Sequence, residues 1–199
     1  MLDLATYLPR LKEFEGVFSY MYVDTTGNVT VGVGQMLPTV AAAQDLAFVL
    51  RANPVANPPE SARPATPDEI RADFVNVSQQ PGGRTAPFYK QFTKLDLPDS
   101  AIDAVLEAKI EEITKQLSIA FPDFNSYPAE ACAAILDMGY NLGVEKLTTA
   151  FPSFSRAVRA RDWATAAEEC QRRGPGPDRN NWTKAQLENA AANARAAQA

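Results

Sequence analysis

The chain has no histidine in its 199 residues. That absence excludes Ser-His-Asp and Cys-His nucleophiles, histidine-ligated zinc or haem, and all imidazole acid–base chemistry. If the protein is an enzyme, carboxylates move its protons. Cysteine is almost missing too. Cys132 and Cys170 are too few for a four-cysteine metal site and too sparse for a disulfide-stapled scaffold. Both lie in alanine-rich helical patterns, ACAAIL and AAEEC, where a buried free thiol is the ordinary outcome, although a bond between them stays open. No apolar run reaches the length of a membrane-spanning helix, so no membrane insertion is expected. The first residues, MLDLATYLPRLKEF, lack the basic, apolar and small-residue order of a signal peptide. Positive charge is short as well. Against 24 Asp and Glu stand 19 Lys and Arg, a net charge of −5, with no basic stripe to neutralise phosphates. Nucleic acid is therefore not an expected partner.

What is present reads as one globular domain, or one domain with an insertion. With 46% hydrophobic residues it is long enough to bury a core. Leu8, Leu11 and Phe14 recur at helical spacing and stop at Gly16. The period then changes: VFSYMYV, the turn DTTGN and VTVGVG predict a two-stranded hairpin. TVAAAQDLAFVL returns to a helix with Thr39 as its N-cap. Residues 53–67 hold five prolines without a period and predict a loop outside the core. A short helix follows at PDEIRADFV with Pro67 in its first turn, then a loop around Pro81, Gly82 and Gly83. Asp99 is expected to cap the longest helix, on which Ile102, Leu106, Ile110, Ile113 and Leu117 make one apolar stripe. Further helices are expected at 129–142, 152–160, 162–173 and 183–198, with Arg172-Arg173 and Gly174-Pro175-Gly176-Pro177 marking a helix end and a loop. The sum is α+β: a small N-terminal hairpin lobe at about 15–37, a Pro-rich insertion at about 53–87, and a helical lobe at about 99–198.

Without histidine, the chemistry must be sought in carboxylates placed by rigid elements. Glu15 ends the first helix, Asp24 stands where the first strand meets the turn, and Thr30 lies on the returning strand. A helix end and a hairpin meeting at one point bring all three to one wall. Glycoside hydrolysis needs such a pair, one carboxyl to protonate the leaving oxygen and one to handle water or the sugar cation. A glutamic acid packed by Phe14 and Phe18 is expected to be pushed up by desolvation, which suits the acid. The plainer reading makes Asp24 a turn residue, Glu15 a helix-end charge and Thr30 an ordinary strand threonine.

These residues carry a family resemblance. Glu15-Gly16 followed by Tyr22-Val23-Asp24-Thr25-Thr26-Gly27-Asn28-Val29-Thr30-Val31-Gly32-Val33-Gly34 resembles the phage T4-type lysozyme family, glycoside hydrolase family 24, in its Glu, Asp, Thr and Gly-x-Gly spacing. Asp137-Met138-Gly139-Tyr140-Asn141-Leu142-Gly143 is similar to that family's central-helix segment. Arg161-Asp162-Trp163 with Ala166-Ala167 is similar to a later one. The resemblance implies a lysozyme-like fold with a cleft between a hairpin lobe and a helical lobe. It implies Glu15 as general acid, Asp24 as the group that positions water or stabilises the oxocarbenium-like transition state, and Thr30 behind that water. The family's type member inverts configuration, which implies carboxyl groups roughly 6.5–9.5 Å apart. Met36, Tyr140 and Asn141 match positions that line the family's saccharide cleft, and Arg179 is the best match for an arginine near the acid. The substrate so implied is the β-1,4 bond between N-acetylmuramic acid and N-acetylglucosamine, with peptidoglycan glycan strands as partner and no metal or organic cofactor. A monomer is expected, acting in the periplasm or cell wall of a bacterium after delivery by a holin or secretion machinery, with an immunity protein as a further candidate partner. The alternative is a lysozyme-like wall-binding or structural module that does not cleave.

There are departures. Gln35 stands where the family places a histidine, and the segment between hairpin and long helix is longer than in compact members. The net charge of −5 offers no general attraction to an anionic wall, so affinity must come from the cleft. Arg172, Arg173 and Arg179 are expected to form a local positive patch, and Trp163 and Trp182 to be core residues.

Overall fold

The computed structural model describes residues 4–53, 55 and 61–197, with side chains from Tyr7 onward. Of the Pro-rich stretch 53–67, residues 54 and 56–60 lie outside the described residues, as does residue 198 of the expected last helix. The described chain is a mixture of helices and two small antiparallel sheets, an α+β protein. It forms two compact units, Glu15–Glu107 and the described residues of Met1–Phe14 and Ala108–Ala199.

Helix α1, Leu4–Glu15, stops at Gly16, whose φ of +74° is a conformation that costs other residues strain. In the unit that follows, β1 (Phe18–Val23) and β2 (Val29–Gly32) pair antiparallel, with Tyr22 opposite Thr30 and Val23 opposite Val29. The register slips between Phe18 and Tyr22, a bulge in β1. The hairpin gains a third strand that was not expected. Residues Gly32 and Gly34, both at positive φ, turn the chain back so that β3 (Gln35–Met36) pairs with β2, Met36 opposite Thr30. The VGVG run is thus half strand and half turn.

Helix α2, Val40–Gln44, has the expected cap, Thr39 Oγ1 accepting from the Ala42 amide at 3.2 Å, but it is far shorter than expected. Val49–Leu50 is a strand, β4, between β5 (Arg63–Pro64) and β6 (Leu95–Asp96). Partners this remote in sequence leave no local signal, so the apolar AFVL passed for a helical face. Arg51 fastens this sheet: its Nε meets Asp96 Oδ2 at 2.6 Å and its Nη atoms donate to the carbonyls of Thr93 and Leu95.

Helix α3, Pro67–Ser78, opens with a complete capping box, in which Thr66 Oγ1 accepts from the Glu69 amide and Glu69 Oε2 accepts from the Thr66 amide. After it come α4 (Ala86–Tyr89) and a 3₁₀ turn, Lys90–Phe92. Asp73, buried on α3, accepts from the Thr93 hydroxyl and from the amides of Lys94 (2.8 Å) and Leu95 (3.0 Å), which fixes β6 to the helix. Residues 61–87 therefore build β5, α3 and the first half of α4, and α3 and α4 pack on β1 in the hairpin's own unit.

Helix α5, Asp99–Ala120, carries the expected stripe, and Ile102, Leu106, Ile110, Ile113 and Leu117 are all buried. Asp99 does not cap it. It is the first helical residue, and the carbonyl of Pro98 accepts from the Ile102 amide. The other helices are α6 (Ala129–Leu142), α7 (Val144–Ala150), α8 (Pro152–Arg159), α9 (Trp163–Glu168) and α10 (Pro177–Ala196). Both α6 and α9 pack on α10, and α8 packs on α9. Trp163 is buried, as expected, with its ring 5.0 Å from that of Tyr127. Trp182 is only half-buried and meets the rings of Tyr7 and Phe14.

Two boundaries differ from expectation for one reason. α9 ends at Glu168 instead of 173, and α10 starts at Pro177 instead of 183. Both differences serve a polar centre inside the helical unit. Asp137, fully buried on α6, accepts at Oδ2 from Arg172 Nη2 (2.7 Å) and the Thr183 hydroxyl (2.9 Å), and at Oδ1 from Arg179 Nε (2.9 Å). Asn180 pairs with the backbone of Arg172 in both directions, its Nδ2 donating and its Oδ1 accepting. Arg179, Asn180 and Thr183 are polar residues on a buried helical face, so the apolar period misses the first turns of α10. The expected positive patch is corrected by the same contacts. Arg172 and Arg179 are buried on Asp137, and only Arg173 of the three is exposed.

Removing one partner of a buried ion pair leaves a desolvated charge behind. Asp137→Ala is expected to lower the unfolding free energy by roughly 3–5 kcal/mol, measured by urea denaturation. A loss below about 1 kcal/mol would show that the two guanidiniums do not need the carboxylate. Cys132 and Cys170 are both free and buried, and burial pushes the Cys132 thiol up to about 11 and raises that of Cys170. Neither should react with a thiol-specific disulfide reagent at neutral pH until the chain is denatured, when both should titrate.

Candidate active site

The hairpin turn is built on Asp24. Its Oδ1 accepts three hydrogen bonds, from the amides of Thr26 and Asn28 and from the Thr26 hydroxyl, each at 2.8 Å. The backbone closes the same turn, with the Asp24 amide donating to the Asn28 carbonyl at 2.9 Å and the Gly27 amide to the Asp24 carbonyl at 3.1 Å. This is the turn role that aspartate fills by short reach, and Gly27 at φ +90° supplies the conformation the corner requires. The second oxygen is placed differently. Oδ2 lies 3.4 Å from Thr30 Oγ1, a hydroxyl that also reaches the Asn28 carbonyl at 3.2 Å.

Register assembles the rest of this wall. Tyr22 on β1 faces Thr30 on β2, and Thr30 faces Met36 on β3, so the three stand in one row across the sheet. Asp24, two residues after Tyr22, follows on the same side by strand alternation. Along the row exposure varies sharply. Thr30 is 3% exposed, Tyr22 half-buried and Met36 46% exposed. Phe18 braces Tyr22 edge-on, with ring centroids 5.2 Å apart. Glu15 is half-buried at the last position of α1.

The electrostatics tie these groups together. Burial pushes the Asp24 carboxyl up, but the hydrogen bonds from Asn28 and Thr26 outweigh it and hold the group below the ordinary aspartate value. The Tyr22 phenol is raised first by burial and then by the negative charges of Asp24 and Glu15. One side chain thus feels both candidate carboxylates. The wall consists of an aspartate held ionised, a second carboxylate within charge range of the same phenol, a threonine hydroxyl and an exposed thioether. No histidine or cysteine approaches it, and among the described residues no group of three or more acidic or thiol side chains could hold a metal ion.

Glu15, Asp24, Thr30 and Met36 belong to the sheet unit, whereas Tyr140, Asn141 and Arg179 belong to the helical unit. Tyr140, near the end of α6, has Lys109 Nζ 4.4 Å from its ring centroid, and Asn141 is exposed beside it. Arg179 is 6% exposed, held on Asp137 with its guanidinium 5.4 Å from the centre of the Phe14 ring. Its role in the helical unit's polar centre was not foreseen. Two further residues were missed. Asp137 had a signal in the sequence, since an aspartate inside the apolar run CAAILDMGY must find a partner or stay neutral. Tyr22 also had one, because strand period places it on the face of Asp24.

No protein-family model matches the chain, and no curated protein matches it either.

The Asp24 turn makes a titration prediction. A folded value below the unfolded one means that the turn's stabilisation is complete above the unfolded aspartate value and is lost as pH falls through the lower folded value. Thr26→Val removes the hydroxyl donor and keeps the amide. It should move the Asp24 midpoint upward, toward that of an ordinary aspartate, in a carboxyl carbon NMR titration. An unchanged midpoint would mean that the Thr26 hydroxyl contributes nothing to holding the charge.

Proposed function

We propose that the protein is a peptidoglycan hydrolase of lysozyme type, cleaving the β-1,4 bond between N-acetylmuramic acid and N-acetylglucosamine. The observation that carries this reading is the division of labour at Asp24, where one oxygen builds the turn and the other stands with Thr30 on a wall whose phenol also feels Glu15. Acid–base cleavage of a glycosidic bond needs two carboxyl groups with different duties. Asp24, hydrogen-bonded into the ionised form, is the one that suits water or an oxocarbenium-like centre. Glu15, at the end of α1, takes the part of the general acid. Thr30 orders the water that Asp24 addresses. In this reading the fold is lysozyme-like, with the acids on the hairpin unit. Met36 extends their wall, and Tyr140 and Asn141 are candidate saccharide contacts, whereas Arg179, buried on Asp137, is taken up by the polar centre of its own unit. The resemblance of residues 15–34 to the phage T4-type lysozyme family supports the assignment. The site of action is then a bacterial cell wall reached through a holin or a secretion machinery. Peptidoglycan glycan strands are the partner, an immunity protein is a further candidate, and the working form is a monomer.

A second reading has one observation in its favour. Asp24 Oδ1 is fully used in a structural turn and Thr30 is almost wholly buried, which is all that a non-catalytic wall-binding module would ask of them. One substitution separates the two. Purified wild-type protein should release reducing ends and muropeptides from peptidoglycan, and Glu15→Gln should lower that rate by at least about 10²-fold with an unchanged thermal midpoint. Wall binding without release of reducing ends by the wild type establishes the binding module instead.

A further inference from the structure

Tyr22 stands at one end of the row on the wall that carries the candidate acids, and among the described residues no protein group accounts for its hydroxyl. The ring is accounted for by Phe18, 5.2 Å away edge-on, and by its place opposite Thr30 in the sheet. The hydroxyl is not. Among the described residues it takes no hydrogen-bond partner, and it is not sealed from solvent, since the side chain is only half-buried. Asp24 and Glu15 act on it through their charge.

The geometry points to Tyr22 as a ligand-contacting residue whose hydroxyl donates to an oxygen of a saccharide lying along the Tyr22–Thr30–Met36 row. This rests on the glycosidase reading above and adds a contact to it. The row suits a sugar. Burial and the two nearby carboxylates keep the phenol protonated, so it is a donor at any working pH. Met36, 46% exposed at the far end of the row, offers an apolar surface for a ring face. The flanking carboxylates repel anionic groups, so the oxygen contacted belongs to a neutral hydroxyl, ether or acetamido group. Aromatic hydroxyl beside apolar surface is the pairing that an amphipathic sugar requires.

The test uses the full chain and soluble glycan strands released from peptidoglycan by an amidase. Tyr22→Phe keeps the ring and its contact with Phe18, so the thermal midpoint should stay unchanged. KM for the strands should rise roughly three- to ten-fold while kcat holds within about two-fold, the size expected for one neutral hydrogen bond. In the Glu15→Gln background, where only binding is read by calorimetry, Tyr22→Phe should weaken strand affinity by the same factor. If the loss disappears in that background, or if kcat falls while KM holds, the hydroxyl acts through Glu15 and the inference is overturned. Wild-type cleavage with Tyr22→Phe indistinguishable from it overturns the inference alone. Failure of the wild type to bind or cleave the strands overturns the glycosidase reading and the inference together.

Discussion

A single carboxylate accepting several hydrogen bonds at once is the interaction on which each part of this protein depends. Asp24 gathers three donors to close the hairpin turn, Asp73 takes a hydroxyl and two amides to dock β6 on α3, and Asp137 holds two arginines and a threonine between α6 and α10. At Asp73 and Asp137 each donor would otherwise be a buried or half-buried polar group without a partner, at about 1–3 kcal/mol apiece, whereas two of the three donors to Asp24 are exposed. Aspartate is suited to this because its carboxylate is held close to the backbone and loses little rotamer freedom on being fixed. The charge that the centres bring is treated differently in the two units. Asp137 is matched by guanidiniums within its own unit, whereas Asp24 is stabilised by neutral dipoles alone and keeps its negative charge.

That contrast sorts structural from chemical carboxylates. A carboxylate paired with two arginines and sealed from solvent has its charge spent on cohesion. One held by amides and a hydroxyl, at a partly exposed strand end, still presents charge outward. The −5 net charge of the chain therefore does not describe the wall carrying Glu15 and Asp24, whose local sign is set by two acids on one short stretch. On such a wall the groups contacted are the neutral hydroxyl, ether and acetamido oxygens of a ligand, and any carboxylate it carries must point away.

The sequence was legible wherever structure is decided by neighbours along the chain. α1, the hairpin, the Thr39 and Pro67 helix starts, the α5 stripe and the bounds of α6 all follow from period, caps and turn residues, and all stand as expected. It was not legible where the deciding partner is remote. β4 owes its existence to β5 and β6, and the first turns of α10 owe theirs to Asp137, more than forty positions away. Arg172 and Arg179 misled for the same reason, since an arginine pair in a polar, Gly- and Pro-rich segment looks solvated until its buried partner is known. The relation of Asp24 to Thr30 was easier because both sit on one hairpin whose turn chemistry fixes it.

Tyr22 shows what such local reasoning still leaves out. Strand alternation was enough to put it beside Asp24, yet the sequence does not say that the charges of Asp24 and Glu15 both act on its hydroxyl. Only three-dimensional placement reveals that. The bulge between Phe18 and Tyr22 is part of the cause, because it re-aims β1 after its first residue while keeping Phe18 against the Tyr22 ring. Continued without that slip, the register of Tyr22 and Val23 would set Phe18 against Gly34, beyond the end of β2. The bulge, the turn on Asp24 and the second turn at Gly32 and Gly34 are then three parts of one local design: they align Tyr22, Thr30 and Met36 across three short strands, with Asp24 at the end of the first.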